Sequence, residues 1–408
     1  MKAMHYRRFG RTQLKMPVFS CGGMRFQEDW KDKPLEEVNA EVQANLEATV
    51  HHAFEIGVNH FETARGYGMS ERQLGQVLPK LPRDEILVQT KIAPHKDPQQ
   101  FSEELIDSLD RLNLDRVDLF TLHGINTEEH LEWALSPGGC FDAAQDLRRR
   151  NKCRFVGFST HGQLDVILRA VEHGQPVTGE GFDYINLHWY FIFQRNWPVI
   201  ERAAARDMGV FIISPSDKGG RLYSPSEKLV RLCTPLHPMA FNDLFCLARP
   251  QVHTLSLGAA RPGDFDIHWN ALQWMDQVQA TLAPIENRLR DAMRESAGFD
   301  SPEATNEGIP DWQHLPHQLN VSVMLWLRNL VRGWGMEEYG RMRFNLLGGG
   351  GHWFPGAKPA DVLPHIDADE LRRTVAASPY ADRIPAMLED ALELMVGEPV
   401  RRESEGGP

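Results

Sequence analysis

Short apolar runs alternate with helix-like segments through the first two-thirds of this chain, and ionisable residues stand just past several of them. The runs at 58–61, 86–90 and 117–122 read as strands, because each is short, rich in β-branched or aromatic residues, and flanked by segments of helical spacing. Strands joined through helices run parallel, since a parallel pair needs a crossover connection. Runs of the same kind lie at 18–21, 153–158, 182–187, 210–213 and 253–257. Eight such strands in roughly 270 residues predict an α/β fold, a (β/α)8 TIM barrel, whose usual length is about 250. A doubly wound sheet competes, but no Gly-x-Gly-x-x-Gly follows the first strand.

The flanks are also legible. Residues 4–18 alternate polar and apolar around Gly10-Arg11-Thr12, which predicts an N-terminal β-hairpin. Helices are expected at 41–55, stopping at Gly57, and at 101–112. Ser70 with Gln73 three positions on has the form of a capping box. The barrel pattern stops near Met275. The expected organisation is therefore a barrel over 1–275, a C-terminal helical extension over 276–400 and a frayed tail over 401–408. Within the extension, helices are expected at 278–296, 321–332 and, with breaks, 371–396. Turn-rich stretches fall at 298–316 and 348–356, and Trp312, Trp326, Trp334 and Trp353 are expected to form its core.

Composition narrows the function. A formal net charge of −12 argues against a nucleic-acid footprint, which needs a basic face. No run of about 18 apolar residues is present to span a membrane. The polar, basic start over 1–13 is no signal peptide, so the cytoplasm is expected. Cys21, Cys140, Cys153, Cys233 and Cys246 include no C-x-x-C pair, so neither a disulfide framework nor a metal site is indicated. His314 and His317 have no neighbours to complete a tetrahedral metal set. Oligomeric state is not legible.

In a β/α barrel the C-terminal strand ends converge on one face, where chemistry takes place. That puts Glu62, Tyr67, Lys91 and His123 around one mouth. An acid, a phenol, an ammonium and an imidazole together suit the polarisation and protonation of a carbonyl. A single strand-end histidine is more often a satisfied structural group; four ionisable residues in register weaken that bland reading.

The motifs carry a resemblance. F-E-T-A-R-G-Y-G-M-S-E at 61–71, Q-T-K-I at 89–92 and T-L-H-G at 121–124 are similar to signatures of the aldo-keto reductase superfamily, and the likeness runs from residue 5 to about 272. It implies a nicotinamide cofactor, usually NADPH, and reversible reduction of a small-molecule aldehyde or ketone. By the same resemblance Tyr67 is the proton donor, Lys91 lowers its pKa, His123 orients the carbonyl oxygen, and Glu62 holds Lys91 where the superfamily usually has Asp. The implied cofactor residues are Ser159 and Asn186 for the nicotinamide amide, with Thr160 replacing the family's Asn. Ser214, Ser216, Lys218 and Gly219 fall in the pyrophosphate loop, and Arg261 with Asp264 in the 2′-phosphate element. His268 stands where an adenine contact is common.

The tail resembles the branch with an extra C-terminal helical region, which in some members carries iron–sulphur ligands. No cysteine follows Cys246, so a thiolate-held cluster is excluded there. The segment containing Trp353 and Phe354 is expected either to cover the mouth or to fasten the helices to the barrel side. Two other readings stand beside the reductase. One is an NADPH-binding sensor or partner-binding barrel with slow chemistry, suggested by Glu62 and Thr160. The other is a cofactor-free lyase or isomerase.

Overall fold

The computed structural model describes residues 4–174, 180–350, 353–397 and 400. The tail expected at 401–408, and Gly351 and His352 of the 348–356 loop, lie outside the described residues. β1 (Tyr6–Arg8) and β2 (Lys15–Pro17) form the expected antiparallel hairpin, with Tyr6 opposite Pro17. Eight strands then close a parallel barrel: β3 (Phe19–Gly22), β4 (His60–Glu62), β5 (Leu87–Ile92), β6 (Val117–Leu122), β7 (Cys153–Ser159), β8 (Tyr184–Leu187), β9 (Gly209–Ile212) and β10 (Thr254–Leu257). β10 pairs with β3, Leu255 opposite Phe19, and so completes the ring.

The hairpin stoppers the end of the barrel remote from the catalytic candidates. Phe9 is wholly buried in a cluster with Leu87, Leu119, Tyr184 and Phe211. A Cβ on Gly209 would come within 2.6 Å of the Phe9 ring, so this contact needs a glycine. Polar pairs lie further in: Gln89 Nε2 donates to Thr121 Oγ1 at 2.7 Å, and Ser20 Oγ is 2.7 Å from His60 Nδ1. Burial, with the Lys91 charge adding to it, pushes His60 down to about 3.

Most expected helices form: Ala40–Glu55 is capped by Asn39, whose side chain accepts from Glu41 N, and Pro98–Leu112 by Asp97. The Ser70 capping box does not form. Ser70 is the first residue of a short helix, Ser70–Leu74, and its hydroxyl is spent on Gly23 O and Thr63 Oγ1, each at 2.7 Å. Gln73 instead accepts from Glu28 N at 3.0 Å. Tertiary partners outcompeted the local cap.

C-terminal helices follow the barrel. Val278–Ala297 and Val321–Trp334 match expectation, and the last stretch is broken, as expected, into Ala368–Thr374 and Ile384–Met395. Val321–Trp334 is buried along most of its length and packs between Val278–Ala297 and Ile384–Met395. These helices sit on the loop after β8, where Trp189 to Phe193 form an unbroken buried apolar stretch. Trp326 Nε1 donates to Ile192 O at 2.7 Å, and the rings of Trp334 and Phe191 lie 5.2 Å apart. Trp326, Trp334 and Trp353 are core residues as expected, but Trp312 is only half-buried.

Candidate active site

Glu62 ends β4, Lys91 lies near the end of β5, and His123 follows β6, so strand register alone sets three side chains around one mouth. Tyr67 reaches it from the turn after β4. With Ser159, His161, Lys218, Ser256 and others they line a cavity of about 430 Å³.

Lys91 is almost fully buried and pairs with Glu62, while its ammonium also donates to Thr63 O at 2.8 Å. Ser256 Oγ on β10 donates to the other Glu62 oxygen at 2.6 Å. Burial alone would lower the Lys91 pKa, but the charges of Glu62 and Tyr67 outweigh it, so the ammonium is held charged. Its nitrogen lies 4.8 Å from the centre of the Tyr67 ring.

Tyr67 is half-buried, with its hydroxyl end turned to Lys91. The Tyr67 and His123 rings meet edge to face at 5.6 Å, and Trp30 closes the outer side at 6.2 Å. Burial raises the phenol above its ordinary value, and Lys91 pulls it back only in part. The expected lowering by Lys91 is therefore present but is not the larger effect. Burial, then Lys91 and Lys218, depress His123 to about 3. Its imidazole is neutral at ordinary pH, an N–H donor rather than an acid.

The remaining candidates separate. Ser159 Oγ accepts from Gly124 N at 3.0 Å, which leaves its own proton free to donate into the cavity. Asn186 is fully buried at the end of β8, and neither atom of its amide has a partner. An orphaned donor and acceptor at that depth fit a carboxamide such as nicotinamide's. Thr160 turns away, donating to Ile125 O at 2.7 Å. Ser214 and Ser216 line the cavity, and Ser214 has φ 53°. Gly219 has Pro215 O so near that a Cβ there would overlap it.

Lys218 departs from expectation. Its ammonium lies 3.2 Å from His188 Nε2 and 3.4 Å from His161 Nδ1, so it leans over the ends of β7 and β8. Arg261 is exposed beside Asp264, at 3.2 Å. Asp264 also accepts from Ala260 N at 2.8 Å and so orders the turn after β10. His268 must be corrected. It has no exposed surface, with Nδ1 2.6 Å from Asp243 and Nε2 3.3 Å from Tyr223 OH. Its ring is committed inside the fold and is not presented to an adenine.

Several site residues were not read from the sequence. Ser256 was readable in principle, as an inward-facing position on β10. Arg25, His161, His188 and Arg343 had no such signal. Arg343 comes from the C-terminal helix Glu337–Phe344, yet its guanidinium reaches Asp217 at 2.9 Å and lines the cavity. Trp353 stacks on Phe354 and lies 4.9 Å from the His188 ring, 4.8 Å below the Lys218 ammonium and 4.8 Å from the Arg343 guanidinium. Trp353 thus packs both on its own C-terminal segment and against Lys218 and Arg343, which line the cavity.

A closed parallel barrel with a phenol, a locked ammonium and a neutral imidazole at its strand ends has the layout of the (β/α)8 proteins that work at the C-terminal face. Residues 19–217 match the model of the Aldo/keto reductase family. Over those residues, from β3 into the loop after β9, the chain is similar to that family. Over 188 residues it is 32% identical to L-galactose dehydrogenase of Arabidopsis thaliana, covering 44% of this chain and 55% of that protein. Over 157 residues it is 32% identical to NADH-specific methylglyoxal reductase of Escherichia coli, covering 29% and 45%. The chain spans about half the length of these curated relatives. The holo form of aldo-keto reductase AKR11C1 from Bacillus halodurans shares the fold, with TM-score 0.58 at 19% identity, over 70% of this chain and 96% of that one. Among the described residues no helix is long and apolar enough to cross a membrane, and no group of three or more His, Cys, Asp or Glu is placed to hold a metal.

Proposed function

We propose that the protein catalyses reversible, NADPH-dependent reduction of a small aldehyde or ketone to an alcohol, with Tyr67 as proton donor. The observation that carries this reading is the buried Glu62–Lys91 pair set against the Tyr67 phenol beside a neutral His123. A bound nicotinamide cofactor supplies the hydride. Hydride arrival at a carbonyl carbon leaves charge on oxygen, and the protein's task is to meet it. Tyr67 is protonated at neutral pH, so it has a proton to give. Lys91 favours the phenolate left behind, and the His123 N–H steadies the same oxygen. Asn186 and Ser159 would hold the nicotinamide amide, and Ser214, Ser216 and Gly219 with Arg261 the phosphates. We place the chain in the cytoplasm on the same reading, and propose the C-terminal helices beyond residue 275 as a distinct unit.

One relative is NADH-specific by name, so cofactor choice has to be measured. Titration of tryptophan fluorescence with NADPH and NADH, followed by an aldehyde panel, tests the reading. Tight NADPH binding with turnover supports it. Binding with slow turnover on every aldehyde favours the sensor reading, and no binding of either cofactor overturns both.

A further inference from the structure

The cavity is cationic on an acidic chain. Its wall includes Arg25, Lys91, Lys218 and Arg343 but only two carboxylates, Glu62 and Asp217, in a protein of net charge −12. Glu62 answers Lys91. Arg25 lies across the β10 end, donating to Gly258 O, near the segments expected to take cofactor phosphates. Lys218 and Arg343 are elsewhere, over the β7 and β8 ends, where His161 and His188 meet the Lys218 ammonium.

Arg343 is the informative member. It is 1% exposed, lies against the faces of Tyr339 and Trp353, and gives one nitrogen to Asp217. Its Nε has no partner, although a buried guanidinium donor normally finds one. Tyr339 OH donates to Lys218 O at 2.7 Å, so the same helix that carries Arg343 also fixes the Lys218 backbone. Lys218 and Arg343 line the same cavity as Tyr67 and His123, and the Lys218 charge adds to the depression of the His123 pKa. A group bound there would sit beside the reacting carbonyl, not at the cofactor's far end.

We propose that Arg343 and Lys218 form an anion subsite, so that the substrate is a carbonyl compound bearing a carboxylate or phosphate, selected by the C-terminal helices. This rests on the reductase reading above. Lys218 comes from the barrel loop after β9, directly past the matched stretch 19–217, and only the Arg343 half of the subsite comes from this chain's extension.

The test compares kcat/KM for 4-oxobutanoate with butanal, and for glyceraldehyde 3-phosphate with glyceraldehyde. At least one anionic member should exceed its neutral partner by about 30-fold or more, as charge-assisted hydrogen bonds allow, and the pair that shows it identifies the anion. Arg343→Ala should lower that ratio about tenfold or more, and Arg343→Lys should retain most of it. Should Arg343→Ala not fold, competitive inhibition of butanal reduction by succinate or inorganic phosphate is compared between wild type and Arg343→Gln, and should weaken in the variant. Equal kcat/KM within both pairs, or a ratio or inhibition unchanged in the variants, would overturn the subsite while leaving the reductase reading standing. No turnover on any carbonyl would remove the reductase reading, and this one with it.

Discussion

Ser256 on β10 donates its hydroxyl to Glu62 at 2.6 Å, and so fixes the carboxylate that holds Lys91. Its two oxygens divide between the partners, one taking Ser256 and the other Lys91. Glu62→Gln removes the charge opposite Lys91 and should lower kcat by about tenfold or more, within the range for disturbing a positioned proton donor. Glu62→Asp keeps the charge and should be tolerated better. In alcohol oxidation, where tyrosinate is the reactive form, the rate rises with pH through the Tyr67 pKa. Lys91→Met should move that limb to higher pH, because Lys91 is what pulls the pKa down. The pH–rate profiles decide, and identical profiles for wild type and Glu62→Gln would leave Glu62 a structural residue.

Acid stability follows from buried imidazoles. His60 and His123 are held at about 3 and His253 at about 4. Each stays neutral in the native state while an unfolded histidine, near about 6.5, takes up a proton. The unfolded state then binds more protons, so stability falls as pH drops from about 6.5 toward the native values, by on the order of 1.4 kcal/mol per pH unit for each histidine. Urea unfolding of wild type and His123→Gln between pH 4 and 7 measures this. The slope should be shallower in the variant.

On the proposed reading, cofactor choice turns on Arg261, exposed beside Asp264 after β10. A charge-assisted hydrogen bond to a 2′-phosphate contributes about 1.5–3 kcal/mol. Arg261→Ala should therefore weaken NADPH roughly 10- to 100-fold in Kd and leave NADH nearly unchanged. Equal loss for both would refute a 2′-phosphate role.

Trp353 joins the C-terminal helices to the mouth. Trp353→Ala should cost about 3–5 kcal/mol, as for a buried tryptophan, and should also raise KM, because Lys218 and Arg343 lose the ring they lie against. Thermal melts and steady-state kinetics read the two effects. A lower Tm with unchanged KM would reduce Trp353 to a fastening residue.

The barrel was legible because its information is periodic: strand-length apolar runs, helical spacing between them, and ionisable residues at strand ends that register then brings together. Glu62, Lys91 and His123 needed only that rule. Contacts made by residues far apart in sequence left no such trace. Ser70 carries the pattern of a cap but bonds Gly23 and Thr63 instead. His268 occupies an expected ligand position but is claimed by Asp243. Arg343 reads as an ordinary charge on a polar helix, and only tertiary structure reveals it as part of the cavity wall. Lys218 was read from a glycine-rich loop, which fixes the backbone path but not the direction of its long side chain.

The central claim is that Tyr67 protonates the carbonyl oxygen. Tyr67→Phe removes one hydroxyl and leaves the ring against Trp30 and His123. Single-turnover reduction of an accepted aldehyde by the NADPH-loaded protein measures the step directly. The rate should fall by roughly 10²–10⁴, with NADPH affinity and melting temperature close to wild type. A near-wild-type rate in Tyr67→Phe would contradict the account.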